Sequence, residues 1–156
     1  MRKNQKGFSL IELLIVVAII LIIAAIAIPN LLRSRMAANE ASAVGSMRTI
    51  NTACVTYSTT YGTGFPAALA NLKPAAPATA AAADLIDQVL AAGTKSGYTF
   101  TYVAGAVVGG VIPTYTLNGD PINVGTTGQR HFFTDQSGVI RFDPAAVATV
   151  ASTPIS

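Results

Sequence analysis

From Phe8 to Ile28 every side chain is apolar except Ser9 and Glu12, and Glu12 is the only charge. At about 1.5 Å per helical residue the run spans about 30 Å, the thickness of a bilayer hydrocarbon core. It stops at Pro29-Asn30, and the pattern then changes. Ala37, Ala41, Val44, Met47, Ile50, Cys54, Tyr57 and Tyr61 recur at spacings of three or four. That period predicts an amphipathic helix over 29–61 with one apolar stripe. Arg33, Arg35, Asn39, Glu40, Arg48 and Asn51 fall largely off the stripe. Residues 8–61 together predict a nearly continuous helix about 80 Å long. Pro29 lacks an N–H and crowds the carbonyl four residues earlier, so it is expected to kink or locally open the helix.

Gly62-Thr63-Gly64-Phe65-Pro66 ends the helical pattern. Residues 62–96 read as a loop region rich in Ala and Pro. Within it, Asp84 to Gly93 predicts a short helix with an Asp cap and a Gly stop. Residues 97–143 read as strands. Tyr98, Phe100 and Tyr102 alternate with Thr99, Thr101 and Val103. A Gly-rich turn, Gly105 to Gly110, leads to a second strand near Val111–Leu117, and Asn118-Gly119-Asp120-Pro121 reads as a turn. Arg130–Thr134 and Val139–Phe142 flank the hairpin signal Asp135-Gln136-Ser137-Gly138. Residues 144–156 predict an irregular or extended tail on the head or on a neighbour. The fold class is α+β: a long N-terminal helix, membrane-spanning in its first half and amphipathic in its second, packed on a small antiparallel β-sheet head.

Charge changes the picture at the N-terminus. The chain has ten Lys and Arg against seven acids, and three of the basic residues are Arg2, Lys3 and Lys6. Without residues 1–7 the two signs balance at seven each. The excess therefore belongs to a short leader and sets membrane orientation, with the N-terminus cytoplasmic. It does not describe a nucleic-acid-binding face, and no nucleic-acid partner is expected. A secretory signal peptide needs a small-residue cleavage site after the apolar run, for which Ala24-Ala25-Ile26-Ala27 is a crude match. That reading leaves Glu12 unexplained, since an acid at bilayer depth costs about 2.5–3.5 kcal/mol on insertion scales.

Gly7-Phe8-Ser9-Leu10-Ile11-Glu12-Leu13, with its basic leader and following apolar run to Pro29, resembles the processing motif of type IV pilins and type II secretion pseudopilins. The resemblance implies cleavage between Gly7 and Phe8 by a prepilin peptidase, N-methylation of Phe8 by the same enzyme, and retention of 8–28 as the transmembrane and assembly helix. The new amine at Phe8 is cationic at neutral pH. Glu12 lies four residues along, within helical reach of its own terminus and equally of a neighbour's. The family uses that glutamate as the assembly salt bridge. The implied partners are further copies of the chain in a filament, membrane lipid before assembly, and an inner-membrane pilus or secretion machine driven by a cytoplasmic ATPase. The implied location is the bacterial inner membrane, then the cell surface. The implied function is a structural pilin for adhesion, motility or attachment, with a type II secretion pseudopilin as the near alternative. A secreted, signal-cleaved binding protein is the alternative of another class.

Catalysis and cofactors find little support. One cysteine, Cys54, rules out an intrachain disulfide, a departure from many pilins, and its place on the stripe suits a buried inert thiol. One His and one Cys cannot supply a His/Cys zinc site. Ser137, His131 and Asp135 are the nearest approach to a nucleophilic triad, and His131 reads as a strand residue. Asp120, Asp135 and Asp143 are weak calcium candidates without the spacing of a calcium loop. No cofactor is expected, and the chain does not read as an enzyme.

Overall fold

In the computed structural model residues 8–155 are described, so Gly7 and the leader lie outside the described residues. The first helix, α1, runs from Leu10 to Tyr61. The chain divides into two compact units with the boundary between Arg35 and Met36.

In the first unit the apolar run forms helix from Leu10 onward. Its large side chains from Phe8 to Leu32 are exposed, and no part of the most apolar 18-residue window is buried by the rest of the chain. β-Branched Ile and Val are middling helix formers in water, but in hydrocarbon a helix is one of only two ways to bond every backbone polar group. The helix neither ends nor restarts at Pro29. Proline contributes no N–H, so the Ala25 carbonyl lacks its usual helical donor there.

In the second unit α1 supplies one wall of the core. Val44, Met47, Ile50, Cys54 and Tyr57 are buried, as the stripe predicts. Ala37 and Ala41, placed on the stripe by spacing, are exposed instead. Glu40 and Ala43 take the lower end of the face, because a loop from the sheet docks on Glu40.

Six antiparallel strands form one sheet in sequence order: β1 (Thr94–Lys95), β2 (Tyr98–Ala104), β3 (Tyr115–Pro121), β4 (His131–Asp135), β5 (Arg141–Asp143) and β6 (Thr153–Pro154). Tyr98, Phe100, Leu117 and Phe132 join the α1 stripe in the core. Gly119 brings β3 close to the helix: a Cβ there would lie 3.2 Å from Met47 Sδ.

Two expectations fail locally, each for a visible reason. Asn118 to Pro121 is strand, not turn, pairing with Tyr98–Thr101 on one side. The polar side chains that suggested a turn bond to other elements: Asn118 Nδ2 donates to the Ala148 carbonyl, and Asp120 meets His131. The second helix, α2, is only Gln88–Ala91, capped by Asp87, whose carboxylate accepts from Leu90 N–H at 2.8 Å. Asp84 is not the cap, because the next N–H groups, of Leu85 and Ile86, bond back to the Leu72 carbonyl of a 3₁₀ turn at Leu69–Leu72. The tail is partly ordered as β6. Before reaching it, the tail crosses the sheet face opposite α1, burying Ala148 and held there by Asn118.

Candidate functional site

The N-terminal site is built on the first turn of α1. Ser9 precedes the helix, and Leu13 N–H donates to its carbonyl at 3.2 Å. Glu12 reaches back, and its Oε2 accepts from the Ser9 backbone N–H at 2.9 Å. Ser-x-x-Glu is a capping-box spacing, and the carboxylate also lies at the positive end of the helix dipole. Ser9-Leu10-Ile11-Glu12 carries this capping signal in the sequence, beside the charge pairing with an amine. Oε1 of Glu12 has no hydrogen-bond partner within the described residues, so the same carboxylate can cap its own helix and accept a further donor. Phe8 is 90% exposed. The Gly7–Phe8 bond, the expected cleavage site, is described only from its Phe8 side.

The second cluster fastens the head to α1. Glu40, 8% exposed, accepts from Gln129 N–H at 2.9 Å, Arg130 N–H at 3.1 Å and Arg130 Nε–H at 2.7 Å. Burial pushes its carboxyl pKa up, but these hydrogen bonds and the guanidinium charge outweigh burial and hold it below the ordinary value. Arg130 also lies over the Phe132 and Phe142 rings, 5.5 and 5.4 Å from their centroids. One residue earlier on the helix, Asn39 Nδ2 donates to the Thr127 carbonyl. Gly128 is required between them, since a Cβ there would strike the Tyr98 phenol. Helical spacing missed this clamp because its two halves are about ninety residues apart.

The remaining candidates do not gather. His131 Nδ1 and Asp120 Oδ1 are 2.6 Å apart across β3 and β4, and Asp143 faces His131 from β5. Asp135 sits at the other end of β4, accepting from Ser137 N–H. The three calcium candidates are thus divided, and no group of three His, Cys, Asp or Glu able to hold a metal occurs among the described residues. The same division separates His131 from Ser137 and Asp135. Cys54 is buried, and burial pushes its thiol up to about 12.

Comparison with known proteins bears on the first site. Residues 2–28 match the family described as the prokaryotic N-terminal methylation motif. The chain is 66% identical over 38 residues to the type IV wide pilus major component PilA4 of Thermus thermophilus. In this segment the chain is similar to type IV pilins. A second pilin relative, the type IV major fimbrial protein FimA of Dichelobacter nodosus, is 52% identical over 58 residues. These matches cover 24% and 35% of this chain, and 29% and 37% of the two relatives, so the chain spans about a third of the length of the curated pilins it matches. No solved structure matches. The family match thus lies on the leader and the first half of α1.

Proposed function

We propose that this chain is a structural pilin subunit. A prepilin peptidase would cut between Gly7 and Phe8 and methylate the Phe8 amine, leaving residues 8–28 to hold the subunit in the inner membrane with its N-terminus cytoplasmic. An assembly machine would then stack subunits into a surface filament serving adhesion, motility or attachment. The observation that carries the reading is the apolar helix that its own chain leaves uncovered. Burying one Leu, Ile or Val is worth about 1.5–3 kcal/mol, so a run of this length demands lipid or other copies of itself. Glu12 supports filament formation in particular: its free oxygen suits the amine of a neighbouring Phe8, and that pairing would fix the register between helices. The named relatives are major pilus and fimbrial components, which favours a pilus over a pseudopilus.

The test is intact and N-terminal peptide mass spectrometry on material sheared from cells. A chain beginning at N-methylated Phe8 in that fraction is the expected result. A chain beginning near Ala27 would make the helix a discarded signal and remove the filament reading.

A further inference from the structure

The outward side of α1 in the head has an unusual surface. The nine exposed positions between 41 and 60 carry alanine, glycine, valine, five threonines and a single charge, Arg48. A typical surface is about 25–35% charged, so two or three charges would be ordinary there. The threonine hydroxyls are already bonded to their own helix: Thr49 to the Gly45 carbonyl, Thr52 to Arg48, Thr56 to Thr52, and Thr59 and Thr60 to Thr56. Their donors are satisfied and their methyl groups remain. Covering such a face removes little hydration that matters.

Arg48 stands between two grooves on this side. One, of about 340 Å³, is lined by Thr49, Thr52, Thr56 and Leu85, and the other, of about 250 Å³, by Gly138, Ile140 and Ile155. Arg48 has no acid within 4 Å among the described residues. Asp84 is the complementary oddity. It is exposed, and it is the one acid among the described residues whose side chain makes no hydrogen bond. Lys73 is its backbone neighbour, through Asp84 N–H to the Lys73 carbonyl at 2.9 Å, yet forms no ion pair with it. The backbone on both sides is pinned, Ala83 to Asn71 and Leu85 to Leu72, and Asp84 forms no ion pair with Arg48 of its own chain.

We propose that this face is a contact between copies of the chain, in which Arg48 of one subunit pairs with Asp84 of the next. The proposal rests on the filament reading above and deepens it by naming an ion pair between heads. Charge complementarity chooses the occupant: a single cation on a face that is cheap to dehydrate, and an exposed acid that its own chain leaves unpaired. A head-to-tail contact between these two different segments repeats along a filament when its rotation does not close a ring.

The experiment uses the full chain in cells that assemble filaments. Arg48→Cys and Asp84→Cys are introduced together and singly, sheared filaments are oxidised, and products are separated without reductant. The double variant should give a ladder of dimers and longer species, and each single variant monomer alone. Monomers only, or dimers with nothing longer, from the double variant would overturn the proposal. Filament loss in the cysteine variants is resolved by charge exchange. Arg48→Asp and Asp84→Arg should each lower filament yield about tenfold, and the two together should restore it. Normal yield from either single variant, or no rescue in the pair, overturns it. Mass spectrometry of the membrane pool separates the two readings. A chain beginning at N-methylated Phe8 with no Arg48–Asp84 linkage removes this contact alone, whereas any other mature start removes the filament reading beneath it.

Discussion

Two glutamates on one helix do opposite things with the same group. Glu12 is exposed and holds one oxygen ready, while Glu40 is enclosed and uses both. Glu12→Gln keeps the shape and a carbonyl acceptor for Ser9 N–H but removes the charge. It should leave cleavage intact and lower filament yield severely, read as mature Phe8-initiated chain accumulating in membranes. Glu40→Ala should lower head stability by about 2–3 kcal/mol, since it strands the backbone donors of Gln129 and Arg130. The pH dependence follows from the direction of the shift. The folded value lies below the unfolded one of 4.5, so the contribution is fully present above that value. It is lost as pH falls through the folded value. Melting curves of detergent-solubilised protein should therefore drop from about pH 5 downward, and Glu40→Gln should flatten part of that drop. Equal slopes in both proteins would remove Glu40 from the account. Glu12 was readable because its meaning is local: a charge in an apolar run, four residues from the proposed cut. Glu40 was not, because helical spacing places it off the stripe and nothing nearby announces Gln129 or Arg130.

Among the elements, the helix was the most legible and the third strand the least. A 3-or-4 spacing over twenty residues leaves few alternatives, so Val44 to Tyr57 was placed correctly from periodicity. Asn118-Gly119-Asp120-Pro121 holds four strong turn formers in a row and is nevertheless strand. Turn propensity in Asn and Asp comes from bonding their own backbone. Here Asn118 bonds the tail and Asp120 bonds His131, so the local tendency is overruled by distant partners. Asn118→Ala should therefore cost about 1 kcal/mol and, more tellingly, raise protease cleavage within residues 145–152. Unchanged cleavage there would mean that Ala148 is held by packing alone. The short helix shows the same rule at its start: both Asp84 and Asp87 look like caps, and only the 3₁₀ turn decides between them.

For the molecule, the lack of a disulfide is a testable property of the head. Its one thiol is buried and raised to about 12. Reductant should leave the melting temperature unchanged, and alkylating reagents should label Cys54 only after unfolding. Labelling of the native protein at a rate near that of free thiol would contradict the burial of that face. Cohesion comes instead from the core shared by α1 and the sheet, from the Glu40 clamp and from the tail that crosses the outer face. The division of labour explains what the sequence could not say. A membrane helix is described by its own composition. A head is described by pairs such as Tyr115 hydroxyl to Asn51 Oδ1 and Tyr98 hydroxyl to the Arg130 carbonyl, whose members lie 64 and 32 positions apart.

The tip between β2 and β3 has a use outside assembly. Residues 106–110 are exposed, and a side chain placed at Gly109 or Gly110 would meet nothing within 4 Å, although both glycines turn through positive φ. The strands on either side are held by seven register pairs, from Tyr98↔Pro121 to Ala104↔Tyr115. Lengthening a surface loop costs little, because closure entropy grows only with the logarithm of its length. A foreign peptide spliced between Gly109 and Gly110 would thus be carried by every copy of the chain, making the subunit a scaffold for epitope display.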